Sequence, residues 1–353
     1  MKIKFLKAAN GDSILLSFDD NSKKKRNILI DGGMPKTYFG SGKYGDLHKT
    51  VEEIKDSGER IDLLILTHID GDHIGGLKKW FEMDKNAFDI ISKVWFNSGK
   101  TIANHFNQEE NPELIETLNI FETTQTSVPQ AIIFEDYIDR FNVWDKKIVK
   151  CGTPVIESNG LKITLLSPND IALTKLLKEY KKPKYNYQTS GTETDWKIPI
   201  EDFINEESAA GYVVDEDKSI ANGSSIAFLL SFGGKNYLFL GDAHPSIIVS
   251  ALKDLNITKE NPIRVEFLKV SHHGSCKNTN QELLELIKTD NYVISSNSEI
   301  HGLPNKRTIA RIINHNPNSI FHFNYENVMD NIFLKEDYEK YKSFDRKTIS
   351  EWI

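Results

Sequence analysis

Thr67-His68-Ile69-Asp70-Gly71-Asp72-His73-Ile74-Gly75-Gly76 follows directly on the apolar run Ile61-Asp62-Leu63-Leu64-Ile65-Leu66. That run is short, branched and almost uninterrupted, the pattern of a strand buried on both faces. Beyond the motif, Leu77, Trp80 and Phe81 fall at helical spacing. The ten residues therefore sit in a strand-to-helix turn at the carboxyl end of a central strand, where open α/β sheets place their sites. Residues two apart in an extended segment point the same way, so His68, Asp70 and Asp72 converge, and His73 opens the helix on the same side. Gly71, Gly75 and Gly76 are expected where backbone and metal come close. Imidazole and carboxylate ligate divalent first-row metals, and two ions roughly 3.5 to 4 Å apart clamp a transferring phosphoryl group. The plainer alternative is a polar capping loop with Asp72 as N-cap. Four metal-capable side chains are more than a cap requires.

The pattern His-x-Asp-x-Asp-His-x-Gly-Gly resembles the second motif of the metallo-β-lactamase superfamily, whose commoner form is His-x-His-x-Asp-His. With Asp70 in place of the second histidine it is most similar to the hydrolase domain of competence DNA-uptake channel proteins and their stand-alone relatives. Gly11-Asp12-Ser13-Ile14-Leu15 is similar to that family's first hairpin. The resemblance implies an α/β (α+β) fold, a four-layer αββα sandwich of two mixed sheets with helices outside, and a site with one or two divalent ions, zinc or manganese.

Bulk properties are those of a globular protein. The 353 residues include 39% hydrophobic and 27% charged side chains, enough chain for a large core. Forty-four basic residues against 51 acidic give a formal charge of −7, which predicts no general affinity for nucleic acid or anionic membrane. Cys151 and Cys276 are too few and too far apart for a disulfide framework or a cysteine-rich zinc site. No apolar stretch approaches membrane-spanning length, and the amino-terminal residues read as a first strand instead of a signal peptide. A cytoplasmic protein with no membrane partner is expected.

Strands are expected at Ile3–Leu6, Ser13–Phe18 and Asn27–Ile30, the last ending in Asp31-Gly32-Gly33. Asp31 reads either as a residue supporting the metals, as in the resembled superfamily, or as a local Asx turn. His48–Ser57 reads as a helix and Val94–Phe96 as a strand. His105 is a spare imidazole that reads as a surface histidine or a missing ligand. Residues 111–150 have a weak helical pattern. Leu161–Leu166 is a strand and Asn169–Tyr180 a helix. The resemblance covers roughly 1–314, and one hydrolase domain is expected over 1–324 with insertions near 97–150 and 176–217, leaving 325–353 as a tail with a helix at Lys335–Lys342.

A hairpin across Gly233-Gly234 ends in Gly241-Asp242-Ala243-His244. The resemblance gives Asp242 the metal-bridging role; the alternative is an N-cap for the helix from Ser246 to Leu255. His244 lines the site or packs at the helix start. The strand Val265–Val270 runs into Ser271-His272-His273-Gly274-Ser275, where the resembled hydrolases carry His-His-Gly-Ser. His272 is taken as ligand to the second ion, with His273 orienting a phosphate or protonating a leaving group. His301, beyond the strand Tyr292–Ser296, competes with His272 for the ligand role or contacts phosphate. Ser275 donates to phosphate or forms a turn, and Cys276 reads as a bystander. The superfamily's third-motif histidine has no counterpart before Asp242. Asn222 stands at a matching distance, and an oxygen-rich first metal position shifts preference from zinc towards manganese or magnesium.

The expected ligands are thus His68, Asp70, Asp72, His73, Asp242 and His272, with Asp72, His273 and His301 taking part in catalysis. The expected activity is metal-dependent hydrolysis of a phosphodiester, as in a nuclease. The alternatives are hydrolysis of a small ester, lactone or nucleotide, and a non-catalytic role with protein partners in a defence or uptake system. A nucleic-acid partner would need a basic groove, for which Lys175–Lys184 and Lys259–Lys277 are the stretches on offer.

Overall fold

The computed structural model describes residues 1–108, 127–181 and 193–352. Its contacts divide the chain into two compact units, interleaved in sequence. The first holds Met1–Lys150, Pro168–Gln188 and Glu351–Ile353; the second holds Cys151–Ser167 and Thr189–Ser350. Each unit is built around one mixed sheet with helices, the mixed α/β class expected from the sequence.

In the first unit the strand order is Glu351–Trp352, Lys2–Phe5, Ile14–Asp19, Lys25–Ile30, Leu63–Ile65, Val94–Trp95. The early strands pair antiparallel as hairpins, and the last two join in parallel. Leu63, Leu64 and Ile65 are all buried, which explains why this strand reads as a continuous apolar run and not as an alternation. The helix Gly71–Met83 follows, burying Ile74, Leu77, Trp80 and Phe81. Its N-cap is Asp70, not Asp72.

Two glycines of this turn serve packing. A Cβ on Gly76 would lie 1.9 Å from the Gly32 carbonyl oxygen, and one on Gly75 would lie 2.6 Å from the Pro35 ring. Helix and loop 32–35 can touch only because both side chains are missing. Gly71, by contrast, faces nothing closer than 3.8 Å.

In the second unit the order is Asp345–Thr348, Ile320–Phe323, Asn291–Ile294, Leu268–Lys269, Lys235–Phe239, Ala227–Phe232, Leu161–Ser167, Ile156–Ser158. The first five run parallel and the remainder antiparallel. The hairpin turn uses Gly233 and Gly234, both at positive φ, as tight two-residue connections require.

The stretch read as a carboxyl-terminal tail is built into both sheets. Asp345–Thr348 extends the second and Glu351–Trp352 the first. The expected helix is present at Lys335–Lys340. It is tied down by Asp337, which accepts from the Ile200 and Leu334 amides and pairs with Lys306 at 2.5 Å. Both ionic side chains are buried, and Phe333 stacks on Phe344 beside them with centroids 4.9 Å apart. The weak helical pattern around Leu114, Leu118 and Phe121 lies outside the described residues; Ser127–Arg140 is a helix.

Candidate functional site

Each unit carries one cluster of histidines and carboxylates at the carboxyl ends of its central strands. In the first unit the organising group is Asp31, at the end of Lys25–Ile30 with φ of 56°. Its Oδ1 accepts from the Thr67 amide at 2.7 Å, and its Oδ2 accepts from the Thr67 hydroxyl at 2.7 Å and from His73 Nδ1 at 2.8 Å. An ionised carboxylate only accepts, so the His73 proton sits on Nδ1 and Nε2 carries the lone pair. The Thr67 hydroxyl, having given its proton to Asp31, accepts from His68 Nδ1 at 3.1 Å. His68 is thereby held in the same tautomer, with its Nε2 3.7 Å from Asp70 Oδ2. One buried aspartate sets two imidazoles for metal, the arrangement in which ligating histidines are usually held. The Asx-turn reading of Asp31 gives way to the supporting one.

The other expected members are present around these rings. Asp70 makes no side-chain cap bond to its helix. Asp72 is half-buried and its Oδ2 accepts from Asn10 at 3.2 Å. Asp12, which the sequence reading treated only as part of a hairpin, is buried, with a carboxylate oxygen within 4.8 Å of a His73 ring nitrogen. The signal for it was the Gly-Asp dipeptide: a Cβ on Gly11 would fall 1.7 Å from the Asp72 carbonyl oxygen. His105, offered as a spare ligand, is exposed and pairs with Asp170 at 3.1 Å.

In the second unit Asp242 is buried at the end of the strand Lys235–Phe239, its amide held by Ser225 Oγ at 3.1 Å. The N-cap of the following helix is His244, so capping does not account for Asp242. His272 and His273 occupy a one-turn helix with both backbones left-handed, φ 47° and 52°, a conformation that costs energy in non-glycine residues and clusters at functional sites. It aims both rings at one carboxylate. His272 Nε2 is 3.8 Å from Asp242 Oδ2 and His273 Nε2 is 3.7 Å from Asp242 Oδ1. His273 is buried and gives its Nδ1 proton to the Ser295 carbonyl at 3.0 Å, which leaves the lone pair on Nε2. By this criterion His273, assigned above to phosphate or leaving group, is held as a ligand is held.

His272 is one quarter exposed. Burial lowers its pKa, but the charge of Asp242 and the hydrogen bond and charge of Asp217 outweigh that and raise it to about 9. Asp217 is the residue sequence reading missed. Burial raises its carboxyl, yet the hydrogen bond and charge of His272, with donors from Ser219 and Asn222, hold it below the usual carboxylate range.

His301 is exposed in the 298–302 turn at φ 67°. Ser275 Oγ accepts from the Lys277 amide, a turn role. Burial pushes the Cys276 thiol up, which removes it as a nucleophile, and both cysteines are unbridged. In the Lys259–Lys277 stretch, Lys269 is buried while Lys259 and Lys277 pair with Glu285 and Asp215. Lys182–Lys184 lie outside the described residues. Among those described, no helix is long and apolar enough to cross a membrane.

The residues fit divalent ions on their own chemistry. Lone-pair nitrogens stand beside acceptor-only carboxylates in both units, and Asn222, 4% exposed, has a buried Oδ1 with no hydrogen-bond donor.

No curated protein sequence matches. Among solved structures, the metallo-beta-lactamase fold protein YhfI from Bacillus subtilis aligns over 99% of this chain and 98% of its own, at 10% identity and a TM-score of 0.41. A putative metal-dependent hydrolase from Parabacteroides distasonis aligns over 95% and 98%, at 12% identity and a TM-score of 0.34. CmlA, a diiron β-hydroxylase from Streptomyces venezuelae, aligns over 99% of this chain and 53% of its own, at 9% identity and a TM-score of 0.39. Likenesses this distant transfer no residue role and no activity. The model of the metallo-beta-lactamase superfamily matches residues 10–139, the stretch that carries Asp12, Asp31 and His68 to His73. The mixed α/β architecture described above is consistent with the metallo-β-lactamase fold.

Proposed function

We propose that this chain is a metal-dependent phosphodiesterase or nuclease. The observation that carries the metal dependence is the fixing of His68 and His73 by Asp31, directly and through Thr67. Buried imidazoles with a carboxylate-held Nδ1 proton and carboxylates beside them are built for divalent ions. A divalent ion bound there supplies Lewis acidity, making water a nucleophile near neutral pH and offsetting charge on phosphoryl oxygens. His68, Asp70, Asp72 and His73 hold one share of the ligands. Asp242, His272 and His273 hold the other, and the superfamily resemblance assigns both shares to one reaction. Asp72, steadied by Asn10, orients the water or takes its proton. The mixture of carboxylate and imidazole favours manganese alongside zinc. The phosphodiester preference comes from the resemblance to DNA-processing hydrolases. The free thiols of Cys151 and Cys276 agree with the cytoplasmic compartment we assign.

A metal-by-substrate matrix tests this reading. Wild type and Asp72→Ala would be assayed with manganese, zinc and magnesium against single- and double-stranded DNA, RNA, a small phosphodiester, a small ester and a lactone. Phosphodiester cleavage that needs manganese or zinc and vanishes in Asp72→Ala is expected. Turnover of the ester or lactone alone would overturn the substrate class, and no turnover anywhere would leave the non-catalytic reading in its place.

A further inference from the structure

The Asp217 carboxylate sits where four side chains of the second unit meet, and its role is decided by which atoms can donate to it. It is 11% exposed. Its Oδ1 accepts from the Ser219 amide at 2.9 Å. Its Oδ2 accepts from Asn222 Nδ2 at 2.7 Å and Asn278 Nδ2 at 3.0 Å, and lies 3.5 Å from His272 Nδ1 and 3.9 Å from His244 Nε2.

An amide side chain has one donating and one accepting end, and an acceptor-only neighbour decides which faces it. Asn278 Nδ2 is gripped by two acceptors, the Asp217 carboxylate and the Asp242 carbonyl oxygen at 3.1 Å. Its Oδ1 must therefore face His272 Nδ1, 2.9 Å away. An oxygen there requires a proton on Nδ1. When the ring is neutral, the lone pair is then on Nε2, the nitrogen turned towards Asp242. The 3.4 Å approach of Asn222 Nδ2 to the same Nδ1 is one donor against another and adds no bond. Asn222 obeys the same rule: with Nδ2 committed to Asp217, its Oδ1 points into the buried position where no donor meets it.

We propose that Asp217 is a positioning residue: through the amides of Asn278 and Asn222 it turns His272 Nε2 and Asn222 Oδ1 outward as donors for a divalent cation. Asp217 touches neither cation nor substrate. It acts by allowing only one orientation of two amides and one tautomer of one imidazole. The proposal rests on the metal-dependent reading above for the identity of the ligand, though not for the tautomer.

The test uses the full chain, with two variants and one control. Asp217→Asn keeps the shape and removes the acceptor-only character. Asn278→Ala removes the relay and keeps the carboxylate. Asp215→Asn, at an exposed carboxylate paired with Lys218 and Lys277, is the control. Long-range ¹⁵N–¹H spectra at alkaline pH, with the signals of His272 assigned by their loss in His272→Gln, report which nitrogen bears the proton. Calorimetric titration with manganese alone reports affinity. Wild type and control are expected to show His272 protonated on Nδ1. Both variants are expected to move the proton at least partly to Nε2 and to bind manganese about 10- to 100-fold more weakly. An unchanged tautomer in both variants overturns the proposal, as does unchanged manganese affinity where wild type binds. Should wild type bind no manganese, the manganese assignment fails and the tautomer alone decides: a shift in the variants supports the positioning role, and no shift overturns it.

Discussion

The two clusters solve the same problem with different parts. In the first unit one aspartate, Asp31, reaches its histidines at once: His73 by its own oxygen and His68 through a threonine hydroxyl. In the second unit Asp217 reaches His272 chiefly by way of Asn278, while the His273 Nδ1 proton goes to a backbone carbonyl. Both are assembled from residues far apart in the chain, Asp31 lying 42 residues from His73 and Asp217 61 from Asn278, but the first is nearly closed to solvent and the second leaves His272 partly exposed. The difference teaches where each cluster should fail: the first on loss of one charge, the second by degrees.

The largest effect is expected for Asp72→Ala, a fall in phosphodiester turnover of about 10²- to 10⁴-fold, the range for removal of a positioned acid or base. Steady-state rates at saturating manganese check it, and a rate within threefold of wild type would take Asp72 out of the chemistry. Next comes Asp31→Ala. Leaving buried donors without their acceptor costs about 1–3 kcal/mol, more where a charged group is involved, and denaturant unfolding of the metal-free protein should register it. A loss below about 1 kcal/mol would mean that His73 does not depend on the pair. Gly76→Ala, whose Cβ would enter the Gly32 carbonyl, should cost about 1–3 kcal/mol as overpacking does. Gly71→Ala should lie within about 0.5 kcal/mol of wild type. Equal effects at the two glycines would restore a metal-approach explanation for both.

The smallest effect concerns pH. Folding raises the His272 pKa from its ordinary 6.5 to about 9, so the folded protein binds the extra proton more tightly than the unfolded chain. That contribution is fully present below about pH 6.5 and is lost as pH rises through about 9. Metal-free wild type should therefore lose stability across this window, and Asp217→Asn should lose less. Identical slopes in unfolding measurements from pH 6 to 10 would show that Asp217 does not hold the ring's charge.

What was legible beforehand follows the same division. His68, Asp70, Asp72 and His73 lie within six residues after a buried strand, so period and spacing alone place them together. The strand ends at Asp31 and Asp242 were readable for the same reason. Asp217 was not, because its partner Asn278 is 61 residues away and nothing local distinguishes it from other surface acids; its one signal was the Ser219-led turn that follows it. Asp12 was legible as half of a Gly-Asp pair but not as a buried carboxylate beside His73, which is 61 residues on. That His273 presents Nε2 as a ligand would was not legible, because its tautomer depends on the Ser295 carbonyl, 22 residues on. The carboxyl-terminal strands went unread because Asp345–Thr348 and Glu351–Trp352 are short, polar edge strands, whose pattern is set by their neighbours more than by their own sequence.

Whether both clusters hold metal is decided by calorimetric titration of manganese and zinc into wild type, His73→Ala and His273→Ala. Binding to wild type and at least tenfold weaker binding, or a lost site, in each variant is expected. Wild-type affinity retained in both variants, or no binding to wild type, would contradict it.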